Sequence, residues 1–125
     1  MHPQPPLTRE KEGDHVPAGL EAKAGKRYAA AAASFRRAVE ARPNFPEAWN
    51  ELGFALRQTG EYEEALRAYD QALKLRPNFP EALEYQGEAY VKLGRLGDAR
   101  AVLERLKPLS TSHARELEEV IQHGK

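Results

Sequence analysis

The heptapeptide RPNFPEA occurs twice in the chain, at Arg42–Ala48 and Arg76–Ala82, which sets a period of 76 − 42 = 34 residues. Other positions recur at the same offset, among them Tyr28 and Tyr62, Ala31 and Ala65, Phe35 and Tyr69, and Ala38 and Ala72. A repeat of this length is one supersecondary unit that cannot bury its apolar face alone, so neighbouring units stack and share a continuous core. Function in such a stack is to be sought on a surface.

Local signals divide each unit into two helices. Pro46 and Pro80 each precede Glu and suit the first turn of a helix, where a missing amide hydrogen costs nothing and a carboxylate meets the positive end of the helix dipole. Gly60 and Gly94 suit the ends of those helices. Five consecutive alanines, Ala29–Ala33, carry the highest helix propensity available. The spacing predicts helices over 17–24, 27–41, 46–58, 62–75, 80–93 and 96–107, three hairpins in which the first member is an A helix and the second a B helix. Residues 1–15 hold Pro3, Pro5, Pro6 and Gly13 with Leu7 as the one large apolar side chain after Met1, a composition that predicts a disordered tail. Leu52, Leu56, Tyr62, Leu66, Tyr69 and Leu73, then Leu83, Tyr90, Leu96, Leu103 and Leu106, fall at helical spacing and are the expected core. Gly19, Gly53 and Gly87 are each followed twelve residues later by alanine, Ala31, Ala65 and Ala99, and the expected contact sets each glycine against that methyl group.

The order and spacing of Trp49, Leu52, Gly53, Leu56, Ala65, Tyr69, Ala72 and Pro77 resemble the tetratricopeptide consensus, and Leu83, Gly87, Tyr90, Ala99 and Leu103 repeat it less fully. The resemblance covers residues 17–123. It implies an all-α, right-handed superhelical stack of antiparallel helix pairs. The expected units are 16–45, 46–79 and 80–110. The A helix of the first has Pro17 and a one-residue shift around Gly25. The third is short, since Pro108 follows Pro77 by 31 residues where 34 is expected. A lone helix over 111–123 then places Ala114, Leu117, Val120 and Ile121 at core positions and Glu118 at the glycine position, as suits a solvating end cap.

The same resemblance implies a protein-interaction module whose concave face, lined by A helices, holds a peptide segment or a partner helix. That face would present Glu47, Asn50, Glu51, Phe54, Arg57 and Gln58 from one A helix, and Glu81, Glu84, Tyr85, Glu88, Val91 and Lys92 from the next. Five carboxylates face two basic residues. The best-known groove of the family clamps a C-terminal carboxylate with Lys, Asn and Arg; here Glu51 stands at the middle Asn, and Glu81 and Tyr85 at the following Lys and Arg. The expected ligand is therefore neutral or basic, anchored on Phe54 and Tyr85. The alternatives are a solvated acidic face with no ligand, or a structural repeat that pairs with copies of itself. The stretch EALEYQGEAYVKLGRLGDA is similar to small exported bacterial members with an EYxGExY segment, which gives a leaning to the periplasm, a signal peptide having been removed, over the cytoplasm.

Other chemistry finds little support. Lys plus Arg and Asp plus Glu each number 19, so no global charge draws nucleic acid or an anionic membrane. Cysteine is absent, which excludes disulfides, thiolate catalysis and Cys-based zinc sites. No run of 18 apolar residues exists to span a bilayer. His113 and His123 lie ten positions apart and read as surface histidines, with no metal expected. Glu84 and Glu88 share a face at i, i+4, yet no nucleophile accompanies them, and Ser34 has no positioned base. No cofactor and no enzymatic activity is expected, an enzyme being the remote alternative.

Overall fold

The computed structural model describes the backbone of residues 5–124 and the side chains of residues 15–124. Seven helices follow one another: α1 (Pro5–Ala24), α2 (Tyr28–Ala41), α3 (Pro46–Gln58), α4 (Tyr62–Leu75), α5 (Pro80–Lys92), α6 (Leu96–Leu106) and α7 (Thr111–His123). Each A helix packs on the B helix that follows it, α1 on α2, α3 on α4 and α5 on α6, while α2 meets α3, α4 meets α5 and α3 meets α5 between units. The chain is an all-α repeat stack.

The helix ends follow their residues. Pro46 and Pro80 open α3 and α5 at the first turn, and Gly60 and Gly94 adopt positive φ, 85° and 75°, just past the helix ends. The equivalent residue in the first hairpin, 60 − 34 = 26, is Lys26, which also holds positive φ (60°). The expected shift around Gly25 is therefore corrected: the first hairpin keeps the register of the others. It accepts a side chain in the left-handed region, at a cost of about 1–2 kcal/mol.

The expected disorder of residues 1–15 also needs correction. From Pro5 onward the backbone is helical, continuing into α1, whereas Met1–Gln4 lie outside the described residues. Pro5 and Pro6 occupy the first turn, which needs no amide donors, and Glu10, Lys11 and Glu12 behind them are good helix formers. Pro17 is accommodated inside α1.

A core runs the length of the stack. Phe35, Leu56, Tyr69, Leu83, Leu106 and Leu117 are among its largest fully buried side chains, and Ala31, Ala65 and Ala99 are equally closed. Tyr62, Tyr90 and Leu96 are only half-buried. The glycine contacts are not those expected. A Cβ on Gly19 would stand 2.6 Å from the Phe35 ring, and one on Gly53 would stand 2.6 Å from the Tyr69 ring. The aromatic sixteen residues on, not the alanine twelve on, lies over the glycine, because one further helical turn of the B helix crosses at that point.

Gly87 breaks this pattern in an informative way. Its added Cβ would meet the Leu117 methyls at 2.5 and 2.7 Å, so α7 supplies the cover that an aromatic supplies in the earlier units. Helix α6 has 11 residues against 14 in α4, the three-residue shortening expected from the proline spacing. Ser110 caps α7 by accepting the His113 amide at 3.3 Å, and Gly124 closes it in the left-handed region. Ala114 and Leu117 are buried and Ile121 packs on the same cluster, while Glu118 stays exposed.

The repeated heptapeptide forms the hinges between units. Arg42 lies 4.4 Å from the centre of the Phe45 ring and Arg76 lies 4.7 Å from that of Phe79, a cation–π contact built into each copy. The carbonyl of Pro43 accepts the Trp49 indole at 2.6 Å, and that of Pro77 accepts Arg105 at 3.3 Å. No helix among the described residues is long and apolar enough to cross a membrane.

Candidate functional site

The concave side is built from α1, α3 and α5, with α7 closing its far end. Helical spacing decides what it presents: Asn50, Phe54 and Arg57 recur at four and three residues along α3, and Glu81, Tyr85 and Glu88 do so along α5. Phe54 and Tyr85 stand 5.4 Å apart, and Tyr28 (6.0 Å from Phe54) and Tyr69 (6.2 Å from Tyr85) extend them into a ladder of rings. Both expected anchors thus have packing partners within the fold, which sequence alone did not reveal. Each stays partly exposed.

The five carboxylates are not a bare acidic surface. Glu51 accepts Lys23 at 2.8 Å, Glu88 pairs with Arg57 at 3.3 Å, Glu47 pairs with Arg76, and Glu84 contacts His113 Nδ1. Glu81 accepts only the neutral amide of Asn50, at 3.2 Å. Glu84 is 8 % exposed and buried against α7, and Val91 is likewise buried, so neither offers much to a ligand. Gln58 and Lys92 are exposed.

Two cations repeat one arrangement. Lys23 Nζ bonds Glu51 and lies 4.6 Å from the Phe54 ring centre. Arg57, one period later (57 − 23 = 34), pairs with Glu88 and lies 5.5 Å from the Tyr85 ring centre. Residues 51 and 85, and 54 and 88, are also 34 apart, so carboxylate and ring exchange places while the cation is held the same way. Sequence reading missed Lys23 and His113, because each meets its partner across 28 or 29 residues.

Burial sets the protonation of the far end. The Glu88 carboxyl is pushed up to about 7, first by burial and then by its hydrogen bond to Glu84, with the Arg57 guanidinium opposing. Burial also raises the Tyr69 phenol, whose hydroxyl finds no hydrogen-bond partner among the described residues although Arg57 lies beside it. A carboxyl with a folded pKa above its ordinary 4.5 binds its proton more tightly in the folded state. Stability is therefore expected to be full below about pH 4.5 with respect to this group, and to fall by on the order of 2 kcal/mol as pH rises through 7. Chemical denaturation across pH 4.5–8 checks this; Glu88→Gln is expected to flatten the slope, and an equal slope in both proteins contradicts it.

On the opposite side a cavity of about 710 Å³ opens among Trp49, Ala68, Arg67, Gln71 and Lys74. Its floor, Leu52, Leu56 and Ala68, already belongs to the closed core, so it marks the divergence of neighbouring helices. No group of three or more His, Asp or Glu among the described residues is arranged to hold a metal ion.

Comparison with known proteins agrees with the repeat geometry. A tetratricopeptide-repeat family model matches residues 17–66, and a second, described as a TPR repeat, matches residues 55–94. No curated protein sequence matches the chain. Among solved structures, the TPR2B domain of yeast Sti1, in a complex with pHsp70, is 18 % identical with a TM-score of 0.85, over 92 % of this chain and 96 % of that one. The second TPR domain of human RPAP3, in complex with the HSP70 peptide SGPTIEEVD, is 20 % identical with a TM-score of 0.85, over 92 % and 98 %. The Arabidopsis OM64 TPR domain is 17 % identical with a TM-score of 0.86, over 94 % and 99 %. At such identities the likeness is one of fold. Two repeat models that together run from residue 17 to residue 94, on a stack of paired helices in a 34-residue register, place the chain in the tetratricopeptide-repeat family.

Proposed function

We propose that the protein is a non-enzymatic interaction module that holds a peptide segment or helix of another protein in the concave groove of α1, α3 and α5. The observation that carries this reading is the pair of partly exposed rings, Phe54 and Tyr85, 5.4 Å apart on adjacent A helices. Leu20 of α1, 44 % exposed, adds apolar surface. Related folds support it, since domains of yeast Sti1 and human RPAP3 were solved with Hsp70 ligands.

The ligand proposed here differs from theirs in charge. Glu51, Glu81 and Tyr85 stand where the family's carboxylate clamp has Asn, Lys and Arg, so an anionic chain end meets carboxylates instead of donors. A neutral or basic segment with one large apolar side chain fits the rings. With a net charge of zero, no global charge draws nucleic acid.

A peptide array probed with the whole chain tests the reading. Peptides with a Leu, Ile or Phe beside Lys or Arg are expected to bind, and Tyr85→Ala is expected to weaken them by about tenfold. Selection of acidic C-termini overturns the ligand class. Sedimentation over a hundredfold concentration range addresses the second reading: a constant monomer mass is expected, and growing mass with no peptide bound favours self-association.

A further inference from the structure

Within this groove one group of side chains has hydrogen-bonding capacity that the fold does not use. Asn50 is 2 % exposed, and its amide nitrogen donates to Glu81 Oε1 at 3.2 Å. Its carbonyl oxygen is buried with no partner among the described residues. Turning the amide over does not help, because it would set that oxygen against a carboxylate oxygen, acceptor on acceptor. A buried acceptor left without a donor destabilises the fold that holds it.

Glu81 is exposed, and alone of the five groove carboxylates it has neither a cation nor an imidazole against it among the described residues. Tyr85 lies one helical turn on, and of the surrounding carboxylates Glu81 acts most strongly on its phenol. The chain shows twice what such a set accepts: Lys23 is held by Glu51 and Phe54, and Arg57 by Glu88 and Tyr85. Asn50 and Glu81 offer a carboxylate with an extra buried acceptor beside the Tyr85 ring; that ring already carries Arg57 at 5.5 Å, but no cation among the described residues is paired with Glu81. The acceptors are a carboxylate and an amide carbonyl, so a group with several N–H donors satisfies both, and a positive charge on it strengthens the bond to the carboxylate.

We propose that Asn50, Glu81 and Tyr85 form a recognition site for the charged head of a lysine or arginine side chain on the bound segment. The site rests on the peptide-binding reading above and fixes where along the groove the cation sits. The apolar neighbour of that cation then falls against the Phe54 and Tyr85 rings.

The test uses the full chain and the capped tetrapeptide acetyl-Leu-Lys-Leu-Gly-amide. Three companions replace Lys by ε-acetyl-lysine, by arginine and by citrulline, the neutral mate of arginine. Calorimetry gives the affinities, and NMR of the Asn50 side-chain amide reports the site itself. Glu81→Gln serves as the variant, since Gln keeps an acceptor for Asn50 while removing the charge. Loss of the charge, by acetylation of lysine or citrulline for arginine, is expected to weaken binding about tenfold in the natural chain and to have little effect in Glu81→Gln. The Asn50 amide signal is expected to move only with the charged peptides; the lysine and arginine pairs show which head the site prefers. Equal binding of charged and neutral forms overturns the site and leaves groove binding standing. A Glu81→Gln loss shared by both forms overturns it too, as it assigns Glu81 a structural part. Failure of all four peptides to bind overturns the groove reading and this site together.

Discussion

Leu117→Ala is expected to lower stability by about 4–5 kcal/mol, at the upper end of what one truncated leucine costs. Leu117 is fully buried, and its methyl groups cover the backbone of Gly87. Glycine has no Cβ to move into the space, so the cavity left behind cannot close from either side. Removing residues 111–125 altogether carries the effect further. The cluster of Leu83, Val102, Leu103 and Leu106 then loses Ala114, Leu117 and Ile121, and a terminal unit with an open apolar face aggregates. Urea denaturation and size-exclusion chromatography check both variants. A truncated chain that stays soluble with an unchanged transition would show that α7 is not a cap.

Gly53→Leu is expected to cost about 3 kcal/mol or more, because even the first carbon of the new side chain meets the Tyr69 ring at 2.6 Å. Tyr69 is fully buried and has no space to retreat into. The sign is informative as well as the size. In an open helix, replacing glycine by alanine gains about 0.5–1 kcal/mol, and Gly97 of α6, with nothing within 4 Å of its added Cβ, is the matched control. Gly97→Ala is expected to stabilise while Gly53→Ala destabilises. Equal shifts in the two melting curves would remove the close contact between α3 and α4.

Much of this architecture was legible because it is written in residues with a local meaning. Pro46, Pro80, Gly60 and Gly94 punctuate the helices wherever they stand, and the period of the heptapeptide ties one unit to the next. The proline spacing even predicts that α6 falls short of α4 by three residues. What the sequence withheld depends on how helices cross. The offset of twelve from glycine to alanine is a correct regularity with the wrong contact, since the crossing point lies a turn further along, at Phe35 and Tyr69. The pairing of Glu84 with His113 lay beyond reach for a different cause: it joins an A helix to the cap, and no repeat elsewhere in the chain gives a template for it. At the N-terminal end the prolines and glycine of residues 1–15 weighed toward disorder, but Pro5 and Pro6 fall in a first turn, where they do no harm.

The side-chain contacts between successive A helices bear on how fast the proposed ligand would be captured. Lys23 with Glu51, Arg57 with Glu88 and Glu84 with His113 act as struts that join α1 to α3, α3 to α5, and α5 to α7. On the proposed binding mode, a groove braced at three levels is expected to keep its curvature as a segment enters, so that little entropy would be lost in shaping it. With its charges mostly cancelled at short range, it also exerts little pull from a distance. Capture of the proposed ligand would then be governed by chance encounter followed by a fit that is already formed, and differences among ligands would be expected in how long each one stays.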